Sequence, residues 1–168
     1  MWLFLKNLLF TVLVPGTVAV YVPLWLVRRA GQAPGPAWSW PQWAALAPLT
    51  AGAAVYFWSV WLFAVTGHGT PAPLNSPRRL VVRGLYRHVR NPMYLGVLAV
   101  ILGWALFFAS WTVARYAAGV AVMFHLFVLV IEEPALRRQF GADYQQYCRT
   151  VRRWLPAPGA AHEMNGKS

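Results

Sequence analysis

The chain has 168 residues, room for one domain and at most a small second one. Hydrophobic residues make up 58% of it and charged residues only 11%, against roughly 25% charged in a soluble domain. Mean hydropathy is +0.44, yet 15 Lys and Arg face only 4 Asp and Glu, a net charge of +11. This excludes an ordinary soluble enzyme and a disordered polycation, and Cys148, the only cysteine, excludes a disulfide scaffold.

The elements follow from the charge-free stretches, since a membrane-spanning helix needs about 20 mostly apolar residues. Asn7–Val27 is a first span, with Trp2 and Trp25 as interface anchors. Its apolar core is too long, and its leading charge too small, for a cleaved signal peptide. Gln32-Ala-Pro-Gly-Pro-Ala is a turn, and Trp40–Val65 a second span. Thr66–Pro92 is a long loop rich in Gly, Pro and Arg, with Leu80, Val81, Val82 and Tyr86 for packing. Met93–Val113 and Tyr116–Ile131 form a helical hairpin hinged near Arg115, its second arm marginal in length.

Glu132-Glu133-Pro134 then opens a separate helix over Ala135–Trp154, with Glu133 placed to cap it. Leu136, Phe140, Tyr144, Tyr147 and Val151 make one apolar stripe there, with Arg137, Arg138, Arg149, Arg152 and Arg153 mostly off it. Such a helix lies on anionic lipid or closes as a lid over a ligand site, and the two are compatible. The fold class is therefore an all-α integral membrane protein: about four transmembrane helices plus a C-terminal amphipathic cytoplasmic helix. Residues 1–156 form one domain, and 157–168 a disordered tail.

Orientation follows from the arginines. With four spans, Lys6, Arg78, Arg79, Arg83, Arg87, Arg90, Arg137, Arg138, Arg149, Arg152 and Arg153 share one side. Only Arg28, Arg29 and Arg115 lie opposite, so both termini are cytoplasmic. The preference for Arg over Lys, with abundant Ala, Trp and Pro, points to a GC-rich bacterial genome and hence to a bacterial inner membrane.

Two motif groups flank the hairpin. Gly67-His-Gly69-Thr-Pro-x-Pro precedes Gly84-Leu-Tyr-Arg87-His88-Val-Arg90-Asn91-Pro92-Met-Tyr94-Leu-Gly96. Glu132-Glu133-Pro-x-Leu136, Phe140-Gly141-x-x-Tyr144-x-x-Tyr147 and Val151-x-x-Trp154-x-Pro156 follow it. In order and spacing the region 67–156 resembles the integral-membrane methyltransferases, the isoprenylcysteine carboxyl methyltransferase and phospholipid N-methyltransferase family. The resemblance implies methyl transfer from S-adenosylmethionine to a lipid-like or small hydrophobic acceptor. It matches Gly67 and Gly69, and the acidic pair Glu132 and Glu133, to cofactor-binding elements. Arg90, Asn91, Pro92 and Tyr94, with Gly96 just beyond, match an Arg-His/Asn-Pro-x-Tyr motif. Asn91 stands where prenylcysteine-type enzymes usually have histidine, so a histidine-dependent role is not carried over.

The chemistry of that cofactor fits these residue types. Arg87 or Arg90 can hold its carboxylate, and Glu132 or Glu133 can accept from its ammonium or ribose hydroxyls. Adjacent helical residues point about 100° apart, so one glutamate should face the site. Glu133 is favoured for the cofactor, with Glu132 answering an arginine of the loop. Alternatively both glutamates neutralise nearby basic groups, or Glu133 pairs with Arg137 one turn on. Tyr94, Tyr144 and Tyr147 can meet the sulfonium by cation–π contact, worth roughly 0.5–2 kcal/mol. An amine acceptor would need a base, for which His88 is available. His125 is a helix–helix residue and His68 a loop residue, and no metal-ligand spacing occurs. Arg90, Asn91, Tyr94 and Glu133 are thus the expected catalytic set. The alternatives are a non-enzymatic membrane scaffold binding anionic lipids and a nucleic-acid binder. The latter is excluded because the arginines coincide with span ends and no base-reading module is present.

Overall fold

A computed structural model describes residues 13–32, 39–66 and 80–156, and among them the chain is helical, without a β-strand. In order come a π-helical turn Thr17–Tyr21, helix α1 (Val22–Arg29), α2 (Trp40–Thr66), a 3₁₀ turn Gly84–Arg87, α3 (Pro92–Phe107), α4 (Trp111–Phe127), a second π turn Val128–Glu132, and α5 (Glu133–Thr150). The chain divides into two compact units, Met1–Phe57 with Tyr94–His125, and Trp58–Met93 with Leu126–Ser168.

Proline explains both π turns. Each ends two residues before one, Tyr21 before Pro23 and Glu132 before Pro134. A proline ring clashes with the carbonyl four residues back, so the ladder widens to bonds five residues long. The Val22 N–H accordingly donates to the Thr17 oxygen, and the Glu133 N–H to the Val128 oxygen. Pro23 lacks the next N–H, which would have reached Val18, and the Tyr116 hydroxyl donates to the Val18 oxygen instead at 3.0 Å. The expected fresh helix start at Pro134 is therefore corrected. The helix runs on from Trp111 through a π turn into α5, and the N-cap position falls on Glu132, which makes no side-chain capping bond.

In the first unit, α2 starts with one half of a capping box, in which the Ser39 N–H donates to the Gln42 side-chain oxygen at 3.0 Å. Farther along, α2 and α3 meet through glycine. A Cβ at Gly52 would stand 2.7 Å from the Gly96 oxygen, one at Gly96 2.7 Å from the Gly52 oxygen, and one at Gly103 2.7 Å from Leu49 Cγ. The pairing of 52 with 96 and 49 with 103 makes the helices antiparallel. Small residues at such a crossing let backbones pack where lipid supplies no hydrophobic drive.

The hairpin turn lies earlier than expected, at 108–110 rather than near Arg115. The Ser110 N–H donates to the Ala105 oxygen at 2.8 Å and the Ala109 N–H to the Leu106 oxygen at 3.2 Å. This is a Schellman stop, with Ala109 at φ +47 in the position that usually takes glycine. Ser110, buried, then caps α4 by accepting the Val113 N–H at 3.4 Å. The third helix is thereby shortened to 16 residues, about 24 Å. The fourth begins earlier, with Arg115 exposed within it.

Among the described residues, two helical stretches are long and apolar enough to cross a bilayer, Trp40–Leu62 and the one that starts at Trp111. Large apolar side chains such as Phe57, Leu102, Leu106, Val122, Met123 and Ile131 are exposed, as lipid contact requires. Trp40 and Trp43 at one end of α2, and Trp58 and Trp61 toward the other, are exposed like an aromatic belt. Residues 7–12 of the first expected span, the six residues before it, and the tail 157–168 lie outside the described residues.

Candidate functional site

The second unit gathers most of the motif residues. Its apolar cluster consists of Tyr144, Tyr147 and Val151, with Leu80, Val82, Leu136, Phe140 and Cys148 packed against them. The stripe read from the sequence is thus spent on protein, so α5 does not lay that face into lipid. The stripe is not on one straight helix. Gly141 adopts φ +51, ψ −119 and breaks α5 in the middle, a conformation that only glycine reaches without strain. The 3₁₀ turn depends on a second glycine: Gly84 has φ +55, and a Cβ there would stand 2.7 Å from Leu62 Cδ1 and 3.3 Å from Trp58 Nε1.

Past that turn, the chain runs beside the segment that follows α5. Val89 bridges to Arg152 in parallel, the Arg90 N–H donates to the Arg152 oxygen at 2.9 Å, and Asn91 Nδ2 donates to the Arg153 oxygen at 3.3 Å. One turn back on α5, the Tyr147 hydroxyl donates to the Tyr86 oxygen at 2.6 Å. Together these bonds clamp the two motif groups to each other.

At the clamp lies Glu133, 4% exposed. Its Oε1 accepts from Arg153 Nε at 2.6 Å and lies 3.1 Å from Arg90 Nη1, while Arg137 Nη2 is 3.8 Å from Oε2. Arg90 Nη1 also reaches Cys148 Sγ at 2.7 Å. Burial by itself would raise the Glu133 pKa, but the Arg153 hydrogen bond and the charges of Arg90, Arg153 and Arg137 outweigh it and hold the carboxyl below its ordinary range. The same hydrogen bond raises the Arg153 pKa further. Three guanidiniums around one carboxylate leave the cluster positive. Among the described residues, Arg90 Nε of this cluster and Arg87 Nε of the 3₁₀ turn are buried without a hydrogen-bond partner.

The expected residues therefore separate. Arg90, Asn91, Pro92 and Glu133 belong to the clamp, and Arg87 stands half-buried at the end of the 3₁₀ turn. His88 is exposed beside it. Glu133 is the buried member of the acidic pair and Glu132 is half-buried. Glu133 itself meets the loop arginine that was expected for Glu132, and it has the Arg137 pair as well. Tyr144 and Tyr147 are core residues, 3% and 7% exposed, and burial pushes both phenols up, so they stay neutral. In the first unit, the Tyr94 ring lies on Phe124 with centroids 4.7 Å apart, and the Cα face of Gly96 is filled by Gly52 and Tyr56. Gly67 and Gly69 lie outside the described residues. Sequence reasoning missed Arg153 and Cys148. The only pointer to Arg153 is its place inside the Val151-x-x-Trp154-x-Pro156 element. Among the described residues, no three His, Cys, Asp or Glu side chains converge as metal ligands.

The profile of the phospholipid methyltransferase family matches residues 40–143, more than half of the chain. The chain belongs to that family. It falls within the isoprenylcysteine carboxyl and phospholipid methyltransferase group that the motifs resemble, and it is a membrane protein. An uncharacterized protein of Haemophilus influenzae is 32% identical over 63 residues, 38% of this chain and all of that protein. No solved structure matches the chain significantly. For this phospholipid methyltransferase family member, the matched region takes in Arg90 and Glu133 but stops short of Arg153.

Proposed function

We propose that this chain is a membrane-embedded, S-adenosylmethionine-dependent methyltransferase acting on a lipid-like or small hydrophobic acceptor at the cytoplasmic face. The observation that carries the reading is the convergence of Arg90 and Glu133, from opposite sides of the hairpin, within the region that matches the family.

The residues present fit the cofactor. Its amino-acid head bears a carboxylate and an ammonium, and the buried, unpartnered Nε groups of Arg87 and Arg90 are donors suited to the first. Glu133, held ionised, suits the second. When bound, S-adenosylmethionine supplies an electrophilic methyl group, so the protein need only align it and exclude water. Asn91 positions the site, because its amide ties the Arg90 segment to the Arg153 segment. Tyr94, with its ring fixed on Phe124, is assigned to the sulfonium. A carboxylate or thiolate acceptor needs no base, whereas an amine must lose a proton, which His88 would take. Four membrane crossings with both termini cytoplasmic would put the arginine-rich segments around Arg90 and Arg153 on the cytoplasmic side.

The test uses protein purified in detergent and shown to be folded. Saturable binding of S-adenosylmethionine is expected, and none at millimolar concentration would overturn the enzyme reading. Membranes given methyl-labelled cofactor then define the acceptor. Base-labile label released as methanol means a carboxyl ester, and stable label in the lipid fraction means N- or S-methylation. Binding without any labelled product would favour a scaffold.

A further inference from the structure

We propose that Arg153 is a built-in competitor for Glu133, a guanidinium that must withdraw before a ligand ammonium can take its place. The inference rests on the assignment of Glu133 to the cofactor made above. Its basis is occupancy: Glu133 is 4% exposed, and Arg153 Nε at 2.6 Å and Arg90 Nη1 at 3.1 Å already share Oε1. Two guanidinium donors already fill Oε1, so at that oxygen an incoming ammonium competes with a guanidinium for the same acceptor.

The geometry selects Arg153 as the one that leaves. Arg90 has a side chain only 11% exposed, is bonded to Cys148 Sγ, and is pinned through its backbone to Arg152. Arg137, 58% exposed and 3.8 Å from Oε2, does not block Oε1. Arg153 lies on the non-helical segment past the end of α5 and is 26% exposed. Its backbone is clamped by Asn91, and its side chain is the more exposed of the two guanidiniums on Oε1. The competitor is thus tethered and returns when the ligand leaves. Any ligand must displace a strong charge-assisted hydrogen bond, so the apparent affinity is reduced by the fraction of time that Glu133 is open.

The experiment measures S-adenosylmethionine affinity by calorimetry in detergent for the full-length wild type, Arg153→Gln, Arg153→Lys and Arg138→Gln. Arg153→Gln is expected to bind at least about fivefold tighter, a coupling of ordinary size for such a displacement. Arg153→Lys, which keeps a cation for Glu133, should stay near wild type. Arg138→Gln removes an equal charge from an exposed position outside the described ion pairs of Glu133 and should also stay near wild type. Modification by phenylglyoxal, mapped by mass spectrometry, should rise at Arg153 when cofactor is added. Equal or weaker binding by Arg153→Gln, or protection of Arg153 by cofactor, overturns the competitor while leaving the proposed function standing. If neither wild type nor Arg153→Gln binds, both fall together.

Discussion

The Tyr147 hydroxyl donates to the Tyr86 carbonyl oxygen at 2.6 Å across 61 positions of sequence, and this buried bond joins α5 to the turn that delivers Arg87 and Arg90. Tyr147→Phe keeps the ring in the core but leaves the Tyr86 oxygen without this donor. The expected loss is about 1–2 kcal/mol of unfolding free energy at unchanged helix content, measured by denaturation in mixed micelles. A variant as stable as wild type would mean that the bond does not hold the clamp.

Glu133→Gln removes the negative charge that Arg90 and Arg153 share. Breaking a buried pair in this way costs about 3 kcal/mol, because guanidiniums are left without a counter-charge. The pH dependence has a definite sign. The folded pKa of Glu133 lies below its ordinary value, so its stabilisation is present above that ordinary value and is lost as pH falls through the lowered one. Wild type should therefore lose stability on acidification in a range where Glu133→Gln is flatter. Parallel curves would remove Glu133 from the acid transition.

Ala109 holds a left-handed conformation, φ +47, at the end of α3. Ala109→Gly relieves the side-chain clash there at little cost in packing. An increase of about 0.5–1 kcal/mol is expected, visible as a higher melting temperature. A decrease would show that the turn depends on the methyl group.

Gly141 has nothing within 4 Å of a would-be Cβ, so Gly141→Ala tests the backbone alone. At φ +51, ψ −119 the substitution should cost about 1–3 kcal/mol or straighten α5. Either outcome should loosen the packing of Tyr144 and Tyr147, which near-ultraviolet circular dichroism would record. Gly96→Ala differs, since its Cβ would run into the Gly52 oxygen of the facing helix, and it should destabilise by roughly 1–3 kcal/mol through overpacking.

Much of this was legible in the sequence because apolar runs and charge positions are one-dimensional signals. The long helices followed from them, one inward glutamate of the acidic pair followed from the helical step of about 100°, and the grouping of Arg90 and Asn91 with Glu133 was implied by the resemblance to the membrane methyltransferases. The hairpin turn did not. Arg115 offers itself as the break because charge is conspicuous, whereas the real stop uses Ala109 and Ser110, whose hydrogen bonds leave no mark on hydropathy. Nor did the bend at Gly141, because a stripe spaced by fours and threes looks the same on a straight helix as on a broken one. Arg153 stayed hidden for a related reason. Five arginines follow Glu133 within 20 residues, and only the fold says which one turns back to it.

The widened turn before Pro134 carries a consequence for how such a pocket is specified. One residue more or less in a helical turn rotates everything beyond it by about 100°, close to the angle between Glu132 and Glu133 themselves. By forcing the wider turn, the proline sets the rotational phase in which Glu133 is buried and Glu132 only half-buried. The choice between two chemically identical neighbours is thus made by a side chain with no charge and no hydrogen to donate.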